Sequence, residues 1–192
     1  MRDLEEAWRR ENDRRRQEVT RDKALTVIES DIAAPRPTVW EYFVMPGQRP
    51  KWRGSDEVRE TLASGRRGVG TINHCIHGPD VFVEEVNDWR PFDYLTLTTL
   101  PPMPGAPKVV MTYAFTEIEG GGTHVEIRVA RPKPKEEAFF TQFGPVLLNI
   151  LNTELAKLKA MLEGEQGPPP PLEEPSLPAS SNRFVTDPVH AH

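Results

Sequence analysis

The sequence predicts an α+β domain, an antiparallel sheet with one face solvated and the other covered by helices. Two observations carry this. Six strand-like runs follow one another closely, near residues 57–63, 69–77, 81–88, 93–100, 108–117 and 123–131, with only turn or loop signals between them. A single long helical pattern then closes the block, too apolar on one face to be solvated. Strands joined by short turns are antiparallel neighbours, and a sheet with one apolar face needs a helix layer over it.

The block opens with "ALTVIESDI", residues 24–32, β-branched and partly alternating, which predicts a strand stopped by "AAPRP". "TVWEYF" follows Pro37, a residue suited to a helix start, and Val39, Trp40 and Phe43 fall at helical spacing. "GQRPKW" reads as a loop and "GRRGVG" as a turn. The breaks "HGPD", "DWRPF", "PPMPGAP" and "EGGG" then separate the remaining strands. In the final segment Phe139, Phe143, Val146, Leu147, Ile150, Leu151, Leu155, Leu158 and Leu162 recur at steps of three and four, and Gly144-Pro145 predicts a break or kink in the first third.

Three regions result. Residues 1–23 hold eight Lys or Arg and seven Asp or Glu, with Leu4, Ala7 and Trp8 as the main apolar residues, and read as a charged helical extension. The interleaved acids nearly cancel the charge a nucleic-acid-binding arm would need. Residues 24–163 form the globular domain. Residues 164–192 are Pro-rich, with four consecutive prolines, and too poor in large apolar residues to offset the entropy of ordering, so they read as a disordered tail. "PPPPLEEP" within it offers a possible ligand for a Pro-recognising partner.

Charge and composition exclude several classes. A net charge of -5 argues against nucleic acid as a partner. No run of about 18 apolar residues is present to span a bilayer, and the charged N-terminus lacks a signal peptide's apolar stretch. The single cysteine forms no internal disulfide. The default compartment is the cytoplasm, and no cofactor is expected.

The layout resembles the START-like, or SRPBCC, superfamily, which includes polyketide cyclase/dehydrase-like and birch-pollen-allergen-like proteins. The resemblance covers residues 24–163. It rests on "IESDIAAPRPTVWEYF", "KW" at 51–52, "GVGT" at 68–71, "EEVNDWRPFDYL" at 84–95, "GGTHVEI" at 121–127 and "LAKLKAMLE" at 155–163, in that order and spacing. It implies a helix-grip fold, a curved sheet wrapped around the long C-terminal helix with a cavity between. Members bind hydrophobic or amphipathic molecules, and some are cyclases, hydratases or oxygenase subunits; the fold does not choose among these. "HCIHG" followed by "DWRPF" also looks like copies of this domain found beside nucleotide-cyclase domains, although no such catalytic domain fits in this chain.

Strand alternation assigns faces. Met111, Tyr113 and Phe115 should face the helix, as should Leu95, Leu97, Val125, Ile127 and Val129. In "TINHCIHGPDVFVEE", Ile72 and Ile76 should be inward with His74, leaving Asn73, Cys75 and His77 outward. Phe82, Glu84 and Val86 should be inward on the next strand. A three-residue loop "GPD" pairs 77 with 81 and sets His74 directly across from Glu84. That pair either fixes the hairpin register or serves as an acid/base dyad, the carboxylate favouring charged His and fixing its tautomer.

Cys75 and His77 alone fall short of the three or four protein ligands that zinc takes, so no metal site is expected. Cys75 as a nucleophile lacks an inward base. Trp40 is expected in the core, Trp52 at the core or the cavity mouth, and the Tyr113 hydroxyl toward solvent. Asp88 with Arg90 or Arg131 is expected as a surface ion pair.

The favoured function is binding of a hydrophobic or amphipathic small molecule, lipid- or polyketide-like. Its expected lining is Trp52, Ile72, Ile76, Phe82, Leu95, Leu97, Met111, Tyr113, Phe115, Phe139, Phe143, Leu147, Ile150 and Leu151, with His74 and Glu84 at the polar end. One alternative is a cyclase or hydratase with His74 as acid/base and Glu84 as its orienter. The other is an accessory signalling module reaching a protein partner through residues 1–23 or the Pro-rich tail.

Overall fold

The computed structural model describes residues 4, 6, 16–62 and 64–164. Seven strands form one antiparallel sheet, open at both edges: β1 (Ala24–Ile32), β2 (Glu57–Leu62), β3 (Thr71–His77), β4 (Asp80–Arg90), β5 (Tyr94–Leu100), β6 (Val109–Glu117) and β7 (Thr123–Ala130). The spatial order is β1-β7-β6-β5-β4-β3-β2, so every strand from β2 to β7 pairs with its chain neighbour and β1 closes onto β7. Two short helices, α1 (Arg36–Val44) and α2 (Pro50–Arg53), lie between β1 and β2, and α3 (Glu137–Gly164) ends the domain. The sheet grips α3, as the helix-grip expectation required.

The concave face holds the core. Opposed residues of an antiparallel ladder share a face, so the rows Leu95–Tyr113–Ile127–Ile28 and Leu97–Met111–Val129 form continuous apolar stripes. Leu151, Leu155, Leu158 and Leu162 of α3 pack onto them, each at most 3% exposed. In the first turns it is Phe140, not Phe139, that is buried. The helix runs without interruption through Gly144-Pro145. Its first turns thus carry the missing backbone bond of Pro145, and of the break or kink the sequence predicted there, the break does not occur.

Helix α1 closes one end of this core with an aromatic cluster. Phe43 stacks against Trp52, Tyr113 and Phe115 at centroid distances of 4.7, 5.1 and 4.9 Å, and Trp40 meets Phe115 edge-on at 5.5 Å. Trp52 donates from Nε1 to the Tyr42 carbonyl at 2.9 Å, which satisfies the only polar atom of a side chain 1% exposed.

The opposite, convex face is partly covered by the chain before β1. Residues 16–20 run without regular secondary structure and 21–23 form a single 3-10 turn; the helical reading of the extension otherwise falls almost wholly outside the described residues, as does the reading of the tail beyond Gly164. The Gln17 amide donates to Asp88 Oδ2 at 2.9 Å and the Val19 amide to Thr112 Oγ1 at 2.8 Å. Arg128 bonds Glu18 Oε1 at 2.6 Å.

Asp88 does pair with Arg90, accepting from Nε at 3.3 Å, but as a buried group rather than at the surface that its strand-end position predicted. A bulge between Val86 and Asp88 turns it onto the convex face. There, 5% exposed, it also accepts from the Tyr94 hydroxyl at 2.8 Å and the Trp89 amide at 2.9 Å. Replacing Asp88 with Ala strands those buried donors, and urea unfolding of the variant should show a loss of about 1–3 kcal/mol. An unchanged midpoint would mean that the strap over this face contributes nothing to stability.

Candidate functional site

A cavity of about 660 Å³ lies between α3, the α2 segment and strands β3–β6 of the sheet. Of the residues the sequence nominated, Trp52, Phe82, Met111, Leu147, Ile150 and Leu151 line it, along with Glu84. Leu95, Leu97, Tyr113 and Phe115 point to the same face but are packed into the core. Phe139 and Phe143 stack on each other at 4.7 Å, half-buried near the start of α3, and do not line this cavity.

The β3 assignment is reversed. His77 pairs with Asp80, not Val81, so the β3–β4 loop is the two-residue Gly78-Pro79. Gly78, at φ 58°, takes the first central position, where a positive φ matches the twist of a tight hairpin. The one-residue shift flips the face of every β3 side chain relative to β4. Glu84 faces Asn73, and His74 faces Val83. Asn73, Cys75 and His77 consequently share the inner face with Glu84, while Ile72, His74 and Ile76 lie on the other. The His74–Glu84 dyad does not form, and Ile72 and Ile76 are not cavity residues.

Glu84 has other partners. Its side chain is 2% exposed and accepts from two guanidiniums: Arg49 at one oxygen, and Arg53 Nη1 at the other at 3.0 Å. Arg49 is itself 3% exposed and reaches the Cys75 sulfur at 3.5 Å. Arg53 Nε lies 3.5 Å from Glu154 Oε2 of α3, so one arginine ties the sheet to the helix across the cavity. Both arginines come from one helical turn. Arg49 precedes Pro50 in αR conformation, Arg53 follows four residues later, and the Arg53 amide bonds the Arg49 carbonyl at 3.0 Å. Gly54, in the left-handed region at φ 68°, ends the turn and lets Ser55 line the cavity.

The electrostatics follow from this packing. Burial pushes the Glu84 carboxyl up, but the two guanidiniums outweigh it and hold its pKa at about 2. Glu154, whose main influence is burial only partly offset by Arg53, sits above the usual carboxylate range. Burial lifts the Tyr113 hydroxyl to about 12, so it stays a proton donor. Burial likewise raises the Cys75 thiol from 9.0 to about 11. A thiol held there is a poor nucleophile. At pH 8, reaction of native Cys75 with a disulfide reagent should be at least a hundredfold slower than in urea; equal rates would place the thiol in solvent.

Sequence reasoning missed Arg49, Arg53, Ser55, Thr99 and Glu154. One signal pointed to the arginines. An inward Glu84 in an apolar row demands a buried cation, and the basic pair spaced i,i+4 around "RPKWR" carries the tryptophan that anchors it.

Residues 23–163 match the family model described as polyketide cyclase/dehydrase and lipid transport. The chain belongs to this family. Solved structures agree on the fold. A Mesorhizobium loti protein superposes with a TM-score of 0.58 at 19% identity, covering 74% of this chain and 98% of its own. A Nitrosospira multiformis protein gives 0.60 at 13% identity, covering 73% and 99%. DynU16, a putative protein of the dynemicin biosynthetic locus, gives 0.52 at 20% identity over 72% of this chain, which spans only 46% of DynU16. No curated protein matches the chain. No helix among the described residues is long and apolar enough to cross a membrane.

Proposed function

We propose that this domain binds an amphipathic small molecule, lipid- or polyketide-like, between α3 and the sheet. The observation that carries the reading is the cavity itself. Its volume of about 660 Å³ falls within the range of small-molecule sites, its wall is mostly apolar, and a few polar groups converge on one side. The family's description, covering cyclases, dehydrases and lipid transport, is consistent with such a ligand. The cyclase or hydratase alternative loses its dyad, since His74 faces away from the cavity. The accessory-module alternative depends on residues 1–23 and the tail, which lie largely outside the described residues.

The test is native mass spectrometry of protein purified from its own host, with denaturing extraction of anything carried along. It is paired with uptake of N-phenylnaphthylamine, a neutral apolar fluorophore. A co-purifying organic molecule that displaces the fluorophore supports the reading. Protein that carries nothing and takes up no fluorophore overturns it.

A further inference from the structure

Six buried side-chain polar atoms have no hydrogen-bond partner among the described residues, and five of them belong to the α2 segment or the strands behind it: Gln48 Oε1, Arg49 Nε, Ser55 Oγ, Thr99 Oγ1 and Tyr113 Oη. Ser55 and Thr99 are each 7% exposed and both line the cavity. Thr99 stands directly across from Glu84 in the β4–β5 ladder, beside the buried ion pairs. Buried polar groups are nearly always paired, so the two unpaired hydroxyls at the cavity wall mark a place where a ligand group belongs.

The chemistry of the missing group can be read from the two that line the cavity. Ser55 and Thr99 each offer a hydroxyl proton, whereas Gln48, Arg49 and Tyr113 do not line it. One ligand acceptor would satisfy both hydroxyls. That acceptor is not called on to be charged, because Arg49 and Arg53 already face Glu84, and Arg53 also faces Glu154. A ligand carboxylate brought here would meet two resident carboxylates.

We infer that the cavity takes its ligand's polar end as a neutral carbonyl oxygen, of ketone or quinone type, accepting hydrogen bonds from Ser55 and Thr99. This deepens the binding reading above and rests on it. Lys157, exposed on α3, and His77 also line the cavity, and the naphthoate probe below tests whether they draw an anion.

Three probes with one naphthalene body separate the possibilities by displacement of N-phenylnaphthylamine: acetylnaphthalene, isopropenylnaphthalene (CH2 in place of the carbonyl oxygen) and naphthoate. The ketone should bind about tenfold more tightly than the alkene, the value of one net hydrogen bond, and naphthoate should bind no better than the alkene. Thr99→Val and Ser55→Ala, made singly and near in shape to the originals, should each erode the ketone's advantage while alkene affinity stays at the wild-type level, which also shows that the variants fold.

Tightest binding of naphthoate would overturn the inference in favour of an anion site. Equal ketone and alkene affinities would show that the hydroxyls do not engage the ligand, and an advantage that survives both substitutions would place the carbonyl elsewhere. All three leave cavity binding standing. Failure of the fluorophore itself to bind removes the cavity reading and this inference together.

Discussion

Glu84→Gln should destabilise the domain by about 3–5 kcal/mol, the cost of leaving buried cations without their counter-charge. The magnitude follows from the surroundings. Arg49 is 3% exposed and Arg53 15%, so neither guanidinium can turn freely to water, and the only other carboxylate paired with them among the described residues, Glu154, contacts Arg53 alone. An amide at position 84 keeps the shape and removes the charge, so packing loss cannot account for the effect.

The same pair predicts a pH signature. The folded-state pKa of Glu84 is about 2, depressed from 4.5. For a depressed acid, the stabilisation is complete above the unfolded pKa and is lost as pH falls through the folded one. The gap between wild type and Glu84→Gln, measured by urea unfolding, should therefore be flat above about pH 5. It should narrow progressively from pH 4.5 toward pH 2, by about 3 kcal/mol in all. A gap that does not change across that window would mean that Glu84 is not ionised in the folded protein.

The fold was legible because its signals are local and repeated. Strand bounds follow β-branched runs and turn residues, and they were placed within a residue or two for nearly every element. β6 and β7 show the inward sets predicted, because Met111, Tyr113 and Phe115 alternate with smaller residues and leave no ambiguity of face. β3 does not have that property. "TINHCIH" alternates polar and apolar residues so that isoleucines occupy the outer face and Thr71, Asn73 and Cys75 the buried one. Hydrophobicity alone therefore chooses the wrong side. The turn held the correcting information: glycine as the first of two loop residues sets the register, and counting Asp80 into the loop moved the pairing by one.

The arginines were missed for a different reason. Their burial depends on a partner more than thirty residues away in the chain, and no local pattern announces that. The inward Glu84 was recognised, but it was matched to the imidazole that a mistaken register had placed opposite. A buried, two-oxygen acceptor of this kind fits guanidinium better than imidazole, since arginine keeps its charge in any surroundings and presents several donors in a fixed plane.

The double variant Leu147→Trp, Ile150→Trp should abolish ligand uptake while leaving the fold in place. Both residues line the cavity and lie three apart on α3, so their side chains project on one side of the helix. Neither belongs to the buried core. Leu147 is half-buried and Ile150 is 47% exposed, whereas the helix is held to the sheet by Leu151, Leu155, Leu158 and Leu162. Enlarging core residues would strain the packing; here the indoles have the cavity to enter. The expected result is a fall in N-phenylnaphthylamine affinity of tenfold or more, with the urea midpoint within about 1 kcal/mol of wild type. Unchanged affinity in a folded variant would place the fluorophore outside this cavity, and the binding surface would then have to be sought elsewhere, beginning with the exposed apolar residues Leu100 and Met103 at the β5–β6 connection.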